Sequence, residues 1–169
     1  MRSFVLTLLL AVTMHATSAA PAPAPQPADL FDFWVGDWQV GWKNADGTPG
    51  KARNHVSRIL DGHVIEEQFE QDARDPAPLL KGQSLSVRDP AGLWHQAWAD
   101  NQGGFFALTA STDGDRRLFS TALTNVGDEV RGRRMVFHHI TRNAFTWDWE
   151  GTTDGGKTWK LLWQLDYRR

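Results

Sequence analysis

The sequence predicts an all-β protein: a single antiparallel β-barrel of about ten strands, entered through a short helical turn. Three observations lead there. No stretch keeps a 3.6-residue apolar period over three turns, whereas several alternate with period two, which sends successive side chains to opposite faces of a strand. Pairs that supply positive φ at tight hairpins recur along the chain, among them Asp61-Gly62, Gly103-Gly104, Asp113-Gly114 and Gly155-Gly156. The segments between them are short and evenly spaced, as in a sandwich or barrel.

Taken from the N-terminus, residues 1–20 read as a secretory leader. Arg2 gives the positive charge, Phe4 to Val12 an apolar run too short to span a bilayer, and Ala16 to Ala20 the small residues of a cleavage site. The expected destination is periplasmic or secreted, with no membrane attachment after signal peptide cleavage. Residues 21–28 (PAPAPQPA) alternate Pro with small or polar residues and read as an extended, Pro/Ala-rich linker. The barrel domain is expected over 29–169. It opens with a helical turn from Asp29 to Val35, with Asp29 placed to cap it. Strands are expected at 37–43, 51–60, 63–71, 80–88, 93–99, 104–111, 117–124, 130–140, 144–151 and 158–167.

Alternation also sorts side chains by face. Phe145, Trp147 and Trp149 share one side, with Thr146, Asp148 and Glu150 on the other. Trp159, Leu161, Trp163, Leu165 and Tyr167 form a second such row, and Trp94, Gln96 and Trp98 a third. Nine Trp in 169 residues is high, and rows of them on neighbouring strands make an aromatic wall that either fills a core or lines a pocket.

Charge excludes some partners. With 18 basic and 20 acidic residues there is no electrostatic footprint for nucleic acid. The local run Arg131, Arg133, Arg134 reads as a solvated strand face. The chain has no cysteine, which removes disulfides, thiolate catalysis and Cys-based zinc sites.

The segment Phe33-Trp34-Val35-Gly36-Asp37-Trp38 carries a Gly-x-Trp at the start of the first strand and resembles the calycin superfamily, the lipocalins and fatty-acid-binding proteins. The resemblance implies that Trp38 plugs one barrel end and that a basic residue after the last strand, Arg168 or Arg169, covers its ring by cation–π packing. The wider pattern is similar to bacterial calycin-like families named by domain rather than activity. It runs through Asp61 to Glu67, Gly82-x-Ser84, Trp94-x-x-x-Trp98-x-Asp100 and Asp154-Gly-Gly-Lys-Thr-Trp159. The last motif also resembles the Asp-box of β-propellers. One copy is too few for a propeller, so Asp154 and Trp159 are expected to cap a hairpin, as structural residues beside Gly36, Trp38 and Arg168.

The expected function is the binding of a small apolar or aromatic molecule inside the barrel. Trp98, Trp147, Trp149 and Trp163 are the expected wall, with Glu66 or Glu67, Gln83, Arg134 and His138 or His139 as polar contacts. Adjacent strand residues face opposite ways, so only one of Glu66/Glu67 and one of His138/His139 can enter. A buried carboxyl has a raised pKa and suits a general base, so a lyase, isomerase or hydrolase working through an interior Glu/His pair is one alternative. A Glu neutralised by Arg134 or another interior Arg is the structural reading of the same residue. A fully packed envelope interaction domain without ligand is another alternative. No metal-ligand spacing, phosphate loop or nucleophile elbow is present. The calycin resemblance allows haem on an interior His; otherwise no cofactor is expected.

Overall fold

The computed structural model of the chain describes residues 24–73 and 79–169. The leader read over 1–20 and the first residues of the linker lie outside the described residues.

Among the described residues, eleven strands follow one 3-10 turn, Asp32–Trp34. They are β1 (Gly36–Lys43), β2 (Pro49–Ile59), β3 (Val64–Gln71), β4 (Lys81–Arg88), β5 (Trp94–Asp100), β6 (Phe105–Asp113), β7 (Arg116–Ser120), β8 (Thr124–Val126), β9 (Glu129–His138), β10 (Ala144–Thr152) and β11 (Lys160–Arg168). Every pairing between these strands is antiparallel. Strands β1 to β7 form a meander that continues through β9, β10 and β11, and β11 returns to β1 with Tyr167 opposite Val40. Closure leaves ten strands in the barrel wall and removes both sheet edges. Strand β8 stands apart: it pairs only with the start of β9 and forms a small exterior hairpin.

The turns follow the sequence chemistry. Gly62, Gly92, Gly103, Gly114, Gly127, Gly155 and Gly156 all take positive φ. The Asp154 carboxylate accepts from the Thr158 backbone N–H at 3.0 Å and from the Thr158 and Thr152 hydroxyls at 2.6 and 2.7 Å. These bonds, the Thr158 hydroxyl foremost, hold its pKa far below the usual carboxylate range. Trp159 donates to the Gly156 carbonyl, and the Arg134 guanidinium lies 4.1 Å from its ring centre. The motif is a hairpin cap on the outside of the barrel. Trp159 precedes β11, so it is not part of that strand's inward row.

One barrel end is filled by the segment leading into β1. Phe31 stacks on Phe119 (4.4 Å between centres) and meets Trp94 edge-on at 5.6 Å, and Trp34 sits edge-on to Phe137 at 5.3 Å. Phe31, Trp34, Trp38, Phe119, Phe137 and Phe145 are all buried there. Asp29 does not cap the turn with its side chain; its carbonyl instead accepts from the Asp32 N–H. Contacts with the barrel begin still earlier. Gln26 bonds Gly92, Ala110, Arg88 and Trp94, and Pro27 accepts from the Trp94 ring N–H. The last residues of the spacer thus belong to the packed end of the barrel.

The basic residue over Trp38 is Arg169, 4.0 Å from the ring centre, and not Arg168. Arg168 lies within β11 opposite Gln39 and Ala144, and strand alternation turns it outward. Past the strand end, Arg169 donates to the carbonyls of Val35 (3.1 Å), Phe33 (2.9 Å) and Arg142 (2.9 Å), tying the last residue to the helical turn. Gly36 has φ of 141°, and a Cβ there would come within 2.6 Å of the Arg169 guanidinium. The glycine of Gly-x-Trp makes room for the arginine that covers the tryptophan.

Candidate functional site

Register decides which face is interior. On β3, Glu67 pairs opposite Val56 on β2 and Ser84 on β4, both inward, while Glu66 lies opposite Leu85 on the outer surface. Aromatic residues enter the interior from Trp94 and Trp98 on β5, from Phe145, Trp147 and Trp149 on β10, and from Trp163 and Tyr167 on β11. The interior is not filled at the end opposite the aromatic plug. A cavity of about 130 Å³ remains there. Its floor is buried: Glu67, Phe69, Met135, Leu165 and Tyr167. Its half-buried rim is Leu80, Trp98, Asp100, Phe106, Trp147, Trp149 and Trp163.

The four Trp expected in the wall all line this cavity. Trp147 and Trp149 lie parallel with centres 6.1 Å apart, Trp147 meets Trp163 edge-on at 89° and 6.1 Å, and Trp149 meets Phe106 at 66° and 5.0 Å. Such edge-to-face contacts fix ring positions. Gly82 on β4 explains how Trp98 lies as it does. A Cβ at Gly82 would fall 2.0 Å from the Trp98 ring, so the indole lies against bare backbone. Trp98 then donates its ring N–H to Asp100 at 2.9 Å. The Gly-x-Ser pattern thereby serves the cavity twice, since Ser84 bonds Glu67.

Glu67 is the polar centre of the floor, only 5% exposed. One carboxyl oxygen bonds the Asn54 amide nitrogen at 2.7 Å and the other the Ser84 hydroxyl at 2.7 Å. Asn54 also donates to the Tyr167 hydroxyl at 3.2 Å. Burial pushes the Glu67 pKa from 4.5 up to about 7, against the lowering effect of those two bonds. Burial, reinforced by the Glu67 charge, raises Tyr167 well above its usual value. Asp100 at the rim behaves oppositely. Burial pushes it up, but bonds from the Trp98 ring and from the Gly104 and Gln102 N–H groups outweigh this and hold its pKa below the usual range.

The other expected polar contacts lie outside the cavity. Glu66 and Gln83 bond each other at 2.6 Å on the outer surface. Arg134 pairs with Glu150 beside Trp159, also outside, so among the described residues no arginine neutralises Glu67. His138 ends β9 facing outward and bonds Asp148 at 3.0 Å, with Gln164 on the other carboxylate oxygen at 2.8 Å. His139 has φ of 51° and is exposed: the left-handed turn ends the strand, so alternation does not carry this residue inward. The interior Glu/His pair is therefore not formed. Haem does not fit the residues present, because no His lines a cavity that is itself far smaller than a porphyrin.

Sequence reasoning left out Asn54, Phe69, Asp100, Phe106 and Tyr167. Tyr167 and Asp100 had a signal, being in the inward rows of Trp163 and Trp98. Asn54 had none, because a single polar residue among the apolar positions of β2 reads as a solvated one. Leu161 departs from its row for a specific reason. A bulge between Trp149 and Glu150 puts Leu161 opposite the outward Glu150, while Trp163 stays opposite Trp149. No protein-family model matches this chain, and no curated protein matches it.

Proposed function

We propose that this protein is an exported barrel of the calycin type that binds a small apolar or aromatic molecule. The observation that carries the reading is the cavity of about 130 Å³ walled by four tryptophans over a single buried carboxyl. A dry apolar cavity of roughly 150 Å³ accepts one benzene-sized molecule, so the volume suits one ring or a compact head with the remainder at the rim. The calycin assignment is supported by Gly36, Trp38 and Arg169 acting as one packed unit. The leader pattern of 1–20 supports export.

The test is intrinsic fluorescence. Toluene, indole and related single-ring compounds titrated into the purified protein should give a saturable change in tryptophan emission, reduced in Trp147→Ala. Unchanged emission across such a panel would sink the reading and favour a domain that only packs against other proteins. Glu67, with its pKa near 7, supports acid–base chemistry as a second reading. Conversion of a bound compound by wild-type protein but not by Glu67→Gln is the outcome that would establish it.

A further inference from the structure

We infer that the cavity selects a small organic cation, an ammonium or quaternary ammonium head, over a neutral molecule of the same shape; this rests on the binding reading above. The argument starts from the charges that face the cavity. Two carboxyl groups line it, Glu67 on the floor and Asp100 at the rim, and no Lys, Arg or His does among the described residues. The arginine nearest in register, Arg133 on β9, is two residues beyond Met135. It folds back over Gly151, donating to its neighbour's carbonyl, and is not in the lining. Among the described residues neither carboxyl has a salt-bridge partner. The cavity thus carries uncompensated negative character in a low-dielectric setting, where an opposite charge is worth most.

The walls add to this. Trp147, Trp149, Trp163 and Phe106 all line the cavity, and apart from the parallel Trp147–Trp149 pair their planes meet at steep angles, so the rings surround the enclosed space in several orientations. Ring faces are electron-rich and attract cations, most strongly for Trp, and aromatic boxes of this kind suit alkylated ammonium groups. A neutral apolar ligand would use the same walls but leave the carboxyls unanswered. An anion would meet both carboxyls with no cationic side chain among the described lining residues to offset them.

Glu67 makes the preference depend on pH. Facing it are Val56 and Asn54 from β2, Ser84 from β4, and Tyr167 from β11. Among the described residues facing it Tyr167 is the only titratable one, and it remains protonated because burial raises it. The carboxyl itself titrates near neutrality. A bound cation favours its ionised form, so cation affinity rises with pH while affinity for a neutral ligand does not.

The experiment compares phenyltrimethylammonium with its neutral isostere tert-butylbenzene by calorimetry and tryptophan fluorescence on the wild-type protein. Phenyltrimethylammonium has no proton to lose, so any pH dependence belongs to the protein. The ammonium should bind at least about tenfold tighter than the hydrocarbon at pH 8 and weaken about tenfold by pH 5.5. Glu67→Gln should flatten that pH dependence. The wild-type titration carries the test even where the variant folds poorly. Equal or tighter binding of tert-butylbenzene, or ammonium binding independent of pH, overturns the inference. If hydrocarbons bind and the ammonium does not, the cavity reading stands and this inference alone fails. If neither they nor the single-ring panel bind, both fail.

Discussion

Replacing Glu67 by Gln should stabilise the protein, by an amount set by pH. In the folded state burial raises the Glu67 pKa to about 7 from an ordinary 4.5. Between these values the folded protein holds a proton that the unfolded chain has released, so stability falls as pH rises. The loss begins near pH 4.5, accumulates through pH 7 and is complete above it. At about 1.4 kcal/mol for each pH unit of separation, the total is about 3 kcal/mol. Gln mimics the protonated acid: its oxygen can accept from Asn54 and its nitrogen can donate to the Ser84 hydroxyl, the two partners of the native side chain. The two proteins should therefore be nearly equal at pH 4.5, and the variant more stable by about 3 kcal/mol at pH 8. Urea unfolding at pH 4.5, 6, 7 and 8 measures this, with the difference between the two proteins cancelling every other titrating group. Parallel pH curves for both would refute the placement of Glu67 as a buried, unneutralised carboxyl.

Arg169→Ala removes a cation–π contact and three bonds to carbonyls. It should cost about 2 kcal/mol and lower the thermal midpoint by about 4–8 °C. Arg169→Lys should recover less than half, because an ammonium lacks the planar fork that reaches Val35 and Phe33 together; a melt matching wild type for Arg169→Ala would show that the barrel end closes without it. Gly82→Ala should displace the Trp98 ring, shift tryptophan emission and abolish toluene binding, at a stability cost of about 1–3 kcal/mol. Unaltered toluene affinity in Gly82→Ala would remove Trp98 from the site. Asp154→Ala should speed amide hydrogen exchange at Thr158 and leave ligand affinity unchanged, because the hairpin lies outside the barrel.

Much of the fold is legible along the chain because its signals are local. The ten expected segments correspond to β1–β7 and β9–β11, with ends shifted by a few residues. The miss, β8, is a three-residue exposed strand with no apolar pattern of its own. Face membership is equally local for Trp147 with Trp149 and for Trp94 with Trp98, since no bulge interrupts those rows. Leu161 and His139 were misplaced where alternation breaks, at a bulge and at a left-handed residue, and neither break has a residue type that announces it.

What the sequence by itself determined is the alternation: that Glu66 and Glu67 face opposite ways, and that a tryptophan row runs along each of several strands. Period two has no sign, however, and cannot say which side is the inside. Only the closed barrel decided that. Pairing with β2 and β4 turned Glu67 inward beside Asn54 and Ser84 and sent Gln83 out to Glu66, while the β9–β10 register placed Arg134 and His138 on the outer face with Glu150 and Asp148. It also left the space beneath the tryptophans unfilled, because whether rows from β5, β6, β10 and β11 meet across the axis depends on the barrel's diameter, a property of no single strand.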